Sequence, residues 1–180
     1  MTEQIKERLA AIKLIISDVD GVLTDGTVIM GANGKEYKRF SITDGAGIAV
    51  ARALGIRIAF ISGRYSTATE SRAKELNIED VYNGTLNKIP PYEELKTKYN
   101  LTDADIAYVG DDLIDIPVME KAGIAIAVRN AYQPVKKIAH YITEAKGGEG
   151  ALREAIDWII QSQGRYEEAI AVLKRRLINE

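Results

Sequence analysis

The chain has 180 residues, 46% of them hydrophobic and 28% charged, which suits one domain spanning residues 1–180 with a full core. A net charge of −2 leaves no basic footprint for nucleic acid, and no apolar run approaches the roughly 20 residues of a membrane span. Cysteine is absent, which excludes disulfides, thiolate nucleophiles and thiolate metal sites.

In chain order, "MTEQIKERLAAIK" reads as a charged helical lead without the apolar core and cleavage site of a signal peptide, so the cytoplasm is the expected compartment. Strands are predicted at 12–17 "IKLIIS", 56–62 "IRIAFIS", 106–110 "IAYVG" and 124–128 "IAIAV", with a weaker one at 139–143 "AHYIT". Between them lie helical patterns: "DGAGIAVARAL", "STATESRAKEL", "PPYEELKTKY", "LIDIPVMEKA" and "NAYQPVKKI". Continuous apolar strands alternating with amphipathic helices predict an α/β fold, a doubly wound parallel sheet covered on both faces. Residues 27–40, "TVIMGANGKEYKRF", break this alternation with two β-like arms around "GANG", a projecting hairpin. The end of the chain reads as two helices divided by Gly164, the last with apolar positions at 166, 169, 170, 173 and 177.

Each strong strand delivers polar residues to the same edge. Asp18 and Asp20 end the first strand, Ser62 ends the next, Lys88 follows the short "VYN" segment, and Asp111 and Asp112 follow "IAYVG". Ligands of open α/β sheets gather at the carboxyl ends of the strands. Converging carboxylates there call for a hard cation bound through oxygen, Mg²⁺ above all, whose shell a phosphate can complete. A carboxylate beside that ion can attack phosphorus, which makes Asp18 the expected nucleophile. Asp20 is placed to protonate the leaving alkoxide and then to activate water. Ser62 and Lys88 would donate to the equatorial oxygens of the phosphoryl group. Gly21 allows backbone amides to approach the phosphate.

The segments "DVDGVLT", "FISGR", "NK" at 87–88 and "GDDLID" resemble, in order, the four motifs of the haloacid dehalogenase-like phosphatases. Nearly the whole chain resembles one family among them, the 3-deoxy-D-manno-octulosonate 8-phosphate phosphatases, through "DGVLTDG", "SITDGAGI", "ISGRYSTATESRAKEL", "YNGTLNK", "GDDLIDIPVM" and "GGEGALREAIDWII". The resemblance implies a Rossmann-like fold without a separate cap domain, Mg²⁺ dependence, a homotetramer and a small sugar phosphate substrate of lipopolysaccharide synthesis. It implies Asp18, Asp20 (through its backbone carbonyl) and Asp111 as metal ligands. It implies substrate contacts by Asp20, Lys88, Gly63, Arg64, Arg72 and the loop of Ser41, Ile42, Thr43, Asp44 and Gly45. Arg64 and Arg72, eight apart on a predicted helix, would share one face, and guanidinium suits a substrate carboxylate.

Only 41 residues separate Gly21 from Ser62, which leaves no room for a cap, so a neighbouring subunit is expected to close the site through its hairpin or its C-terminal tail. Asp112 and Asp115 either order the metal site from behind or cap the next helix, and they stand outside the ligand set. Asp44 reads equally well as the N-cap of its own helix, and "GGEG" at 147–150 as an anion nest or a connector. His140 is expected to be packed or edge-exposed rather than catalytic, and Trp158 to lie in the core or an interface. Three alternatives stand beside the main reading. A nine-carbon sialic-acid-type sugar phosphate is one; relatives with that preference tend to carry Glu where this chain has Arg64, which favours the eight-carbon substrate. A phospho-accepting receiver module is another, but "FISGR" lacks its later strand-end Asp. A binding-only protein is the last, although every catalytic position is filled.

Overall fold

The computed structural model describes residues 2–178, with side chains through 175. Eight helices and eight strands are present among them, in the order α1 (Glu3–Ala11), β1 (Leu14–Ser17), β2 (Ile29–Met30), β3 (Glu36–Tyr37), α2 (Ile42–Ala53), β4 (Arg57–Ser62), α3 (Thr67–Glu75), β5 (Asp80–Asn83), α4 (Ile89–Lys98), β6 (Ile106–Gly110), α5 (Ile116–Met119), β7 (Ile124–Ala127), α6 (Gln133–Ile138), β8 (Tyr141–Ile142), α7 (Ala151–Ser162) and α8 (Tyr166–Ile178). Six strands form one sheet in the order β5-β4-β1-β6-β7-β8, and every pairing in it is parallel. The predicted doubly wound sheet is therefore observed, with α1, α2, α7 and α8 packed together and α4, α5 and α6 forming a second group.

β1 lies where the order reverses, flanked by β4 and β6. Its residues Leu14, Ile15, Ile16 and Ser17 are buried on both faces, as a central strand between two helical layers requires. Pairing of Ser17 with both Phe60 and Val109 sets Asp18 level with Ile61 and Gly110. The residues that follow β1, β4 and β6 thus emerge together at one rim. The "VYN" segment is part of β5, the sheet's outer strand beside β4.

Several boundaries differ from the sequence reading for local reasons. α2 begins at Ile42 because Ser41 is its N-cap, its Oγ accepting from the Thr43 amide at 3.1 Å. Asp44 therefore does not cap its own helix. Its buried carboxylate accepts from the Arg153 amide at 2.9 Å and so caps α7, which Gly150 leaves without a side-chain cap. Burial pushes Asp44 up to about 6, against the lowering influence of the amides of Arg153, Leu152 and Gly150. The expected "LIDIPVMEKA" helix is a 3₁₀ turn at Leu113–Asp115 followed by the short α5, with Pro117 in its first turn. Arg64 lies before α3, whose N-cap is Ser66, so Arg64 and Arg72 do not share a helical face.

β2 and β3 pair antiparallel, Ile29 with Tyr37 and Met30 with Glu36, which is the expected hairpin. It exposes Val28, Ile29, Met30 and Tyr37. The "GGEG" loop is neither nest nor free connector but packing surface. A Cβ at Gly147 would lie 1.7 Å from the Gly21 carbonyl oxygen, and the Gly148 amide donates to Val22 O at 2.9 Å. Trp158 stacks on Tyr141 with centroids 4.4 Å apart, and His140 accepts from the Ala125 amide through Nδ1. Ala169 of α8 is buried and Arg165, just before the helix, donates to the carbonyl of Leu54, so α8 packs on α2 of its own chain; position 177 lies outside the described side chains.

Replacing Asp44 with Ala should cost about 1–2 kcal/mol of stability through loss of the α7 cap. Asn at this position should retain most of it, as chemical denaturation would show.

Candidate active site

β1 ends in Ser17, and Asp18 follows it with its amide held by Val109 O at 2.9 Å. The Asp18 side chain is buried, and its Oδ1 lies 2.7 Å from the Lys88 Nζ. Lys88 precedes α4 and is itself 2% exposed; its Nζ also lies 2.7 Å from Asp115 Oδ1. A buried ammonium between two carboxylates is the electrostatic centre of the rim. Burial by itself would lower Lys88, but Asp18 and Asp115 overcome it and hold the ammonium well charged.

Asp111, past the end of β6, brings the next carboxylate. Oxygens of Asp18, Asp111 and Asp115 all lie within 4.8 Å of one another. Asp111 Oδ1 is buried and accepts no hydrogen bond. Burial raises Asp18, which Lys88 opposes and Asp115 reinforces. Asp111 is raised by burial first, then by the charges of Asp18 and Asp115. Orphaned, mutually repelling carboxylate oxygens in a confined space are what a hard divalent cation relieves. The donor set therefore fits Mg²⁺.

Asp115 belongs to this cluster by distance but not by free valence. Its Oδ1 accepts from Lys88 Nζ at 2.7 Å and Tyr108 Oη at 2.8 Å, and its Oδ2 from the amides of Asp111 at 3.0 Å and Asp112 at 3.2 Å. With both oxygens engaged, it fixes Lys88 and the Asp111 backbone instead of offering a ligand. Asp112 caps the 3₁₀ turn through Leu113 N at 2.6 Å. Gly21 follows the Asp18–Asp20 pair at φ +97°, and a Cβ there would lie 2.0 Å from Asp111 Oδ2. The chain can run past the carboxylate only because that position has no side chain.

The remaining expected residues divide into those at the rim and those set back from it. Ser62 ends β4, fully buried, its hydroxyl donating to Arg64 O at 2.9 Å. Gly63 follows it, where a Cβ would lie 2.8 Å from Ile114 Cδ1 and 3.4 Å from Leu86 Cδ2. Asp20 is partly exposed and ion-paired with Lys38 of the hairpin at 2.6 Å. Arg64 pairs with Glu36, also of the hairpin. Arg72 reaches back to Ser41 O at 3.0 Å and approaches Gly45, tying α3 to the start of α2. Ile42 and Thr43 are exposed beside them, whereas Asp44 is buried under α7. Asp44 thus stands apart from the other loop residues. A cleft of about 340 Å³ lies between β3 and α3, with Lys38, Phe40, Ser71 and Arg72 among its walls.

Sequence reasoning missed Lys38 and Glu36. Both sit in the hairpin, which was read as a surface for neighbours, yet both reach the rim of their own chain. Nothing in "GKEYKRF" separates these charges from ordinary solvated ones.

Comparison with known proteins adds to this geometry. A profile of haloacid dehalogenase-like hydrolases matches residues 77–155. Over 88% of its length the chain is 44% identical to the 3-deoxy-D-manno-octulosonate 8-phosphate phosphatase KdsC of Escherichia coli K12, covering 84% of that protein. The chain belongs to the 3-deoxy-D-manno-octulosonate 8-phosphate phosphatase family. The crystal structure of the family member from Yersinia pestis superposes with a TM-score of 0.90 at 41% identity, over 93% of this chain and 90% of that one. The Moraxella catarrhalis enzyme, crystallised with magnesium, phosphate and 3-deoxy-D-manno-octulosonate, superposes with a TM-score of 0.91 at 35% identity, over 96% and 99% of the two chains.

Mg²⁺ should raise the melting temperature by roughly 5–10 °C at a hundredfold excess over its Kd. Asp111→Asn should abolish most of that rise, and Gly21→Ala should weaken it, as calorimetric melting scans with and without the ion would show.

Proposed function

We propose that this chain is a Mg²⁺-dependent phosphomonoesterase that hydrolyses 3-deoxy-D-manno-octulosonate 8-phosphate to the free sugar acid and phosphate. The observation that carries this reading is the meeting of Asp18, Asp111 and Lys88 at one rim of the sheet, in a chain 44% identical to a phosphatase named for that substrate.

Asp18 is the nucleophile. Lys88 holds its Oδ1 at 2.7 Å, which fixes the carboxylate while leaving the other oxygen for phosphorus. As Asp18 attacks, the bond from phosphorus to the sugar oxygen breaks, and Asp20 delivers a proton to that oxygen. The resulting aspartyl-phosphate is then opened by water, whose proton Asp20 accepts. Ser62 and Lys88 donate to the equatorial oxygens, where charge builds. Asp18, Asp111 and the Asp20 carbonyl would hold the Mg²⁺ ion, which supplies charge neutralisation between nucleophile and phosphate. Arg64, Arg72, Gly63 and the loop of Ser41, Ile42, Thr43 and Gly45 would face the sugar acid. Asp44, buried beneath α7, supports that loop from behind.

The exposed apolar residues of the hairpin, Val28, Ile29, Met30 and Tyr37, support a homotetramer in which such faces cover one another. No helix among the described residues is long and apolar enough to cross a membrane, which accords with a cytoplasmic enzyme.

Phosphate release should be selective for the eight-carbon sugar acid phosphate over a nine-carbon one and should depend on Mg²⁺. Asp18→Asn should lower kcat by at least about 10³-fold. Faster turnover of the nine-carbon substrate would shift the reading to the sialic-acid type, and activity surviving in the Asn variant would overturn the mechanism. Light scattering should give four times the chain mass.

A further inference from the structure

The hairpin sends one side chain into the catalytic rim. Lys38, just past β3, has a side chain only 1% exposed. Its Nζ lies 2.6 Å from Asp20 Oδ1, 3.3 Å from Thr69 Oγ1 and 3.7 Å from Glu36 Oε1. Glu36 in turn pairs with Arg64, and Thr69 belongs to α3. The ammonium is therefore held from several elements, and a long flexible side chain has lost its freedom to reach one carboxylate. Desolvating a lysine this fully for a surface contact would be costly. The other Asp20 oxygen, Oδ2, is buried and accepts no hydrogen bond.

We infer that Lys38 is the positioning residue of the proton-transfer step. The inference rests on the role of Asp20 proposed above. Lys38 fixes Asp20 by Oδ1, so that Oδ2 alone carries the proton. When the Asp18–phosphorus bond forms and the bond from phosphorus to the leaving oxygen breaks, that proton passes from Oδ2 to the leaving oxygen. The negative charge then developing on Asp20 is met by the ammonium already in place. In the second half, water attacks phosphorus, the Asp18–phosphorus bond breaks, and the water proton returns to Oδ2. The hairpin is thus part of the acid/base apparatus of its own chain.

The test varies the need for a proton while keeping the shape of the substrate. Phenyl phosphate and p-nitrophenyl phosphate both lack the sugar, and p-nitrophenolate leaves readily without protonation. For Lys38→Met, kcat/KM for phenyl phosphate and for the sugar phosphate should fall about 100-fold, whereas p-nitrophenyl phosphate should lose no more than about threefold. Lys38→Arg should recover much of the loss. Because kcat/KM on two substrates is compared within one preparation, the ratio does not depend on how much of the variant is folded. An equal fall on both aryl phosphates, or no fall on phenyl phosphate, would overturn the inference. A loss confined to the sugar phosphate would place Lys38 in substrate binding and overturn it equally. If wild type releases no phosphate from any of the three, the proposed activity itself fails, a result distinct from an unchanged substrate ratio in the variant.

Discussion

The ammonium of Lys88, buried between Asp18 and Asp115, is the interaction on which the rest of the rim depends. Carboxylates at the ends of adjacent strands repel one another, and burial magnifies that repulsion. One internal cation lets Asp18 and Asp115 remain in the interior. Asp115 then spends its other oxygen on the amides of Asp111 and Asp112. The strand end after β6, and with it Asp111, is thereby set relative to Asp18. Removing one partner of such a buried pair typically costs about 3–5 kcal/mol, so the motif is a structural unit as well as a chemical one.

The neutralisation is incomplete, and that leaves the cluster with capacity for a cation. Lys88 offers a single positive charge to a group of three carboxylates, which leaves Asp111 Oδ1 without a partner. A fold that satisfied every oxygen internally would have no affinity for a cation. Backbone and not a side chain borders Asp111 at Gly21, where a Cβ would lie 2.0 Å from Asp111 Oδ2. Asp115, by contrast, is saturated, with Tyr108 donating to the oxygen that Lys88 also holds. Stability and binding capacity thus come from different members of one cluster, Asp115 and Asp111.

Around this fixed centre the hairpin adds a second electrostatic group. Glu36 and Lys38 engage Arg64 and Asp20, so a segment that exposes its apolar residues outward directs its charges inward. Such an arrangement joins an exposed apolar surface to charges at the strand-end rim.

Much of this was legible along the chain. Apolar strands spaced by amphipathic helices dictate a parallel sheet, because strands buried on both faces carry no polar alternation. Strand-end residues Asp18, Ser62 and Asp111 could be placed at one edge for the same reason, since parallel strands all present the same end. The hairpin was marked by its turn residues. Helix starts were read less well, because Ser41 and Asp44 are chemically equivalent caps until packing decides which amides each can reach. The tertiary structure alone decided that Asp44 serves a helix more than 100 residues away, that Asp115 is saturated while Asp111 is not, and that Lys38 turns inward. Local sequence fixes what a backbone segment prefers, through periodicity and turn chemistry. The partner of a charge depends on which distant segments fold against it, and neither composition nor spacing encodes that directly.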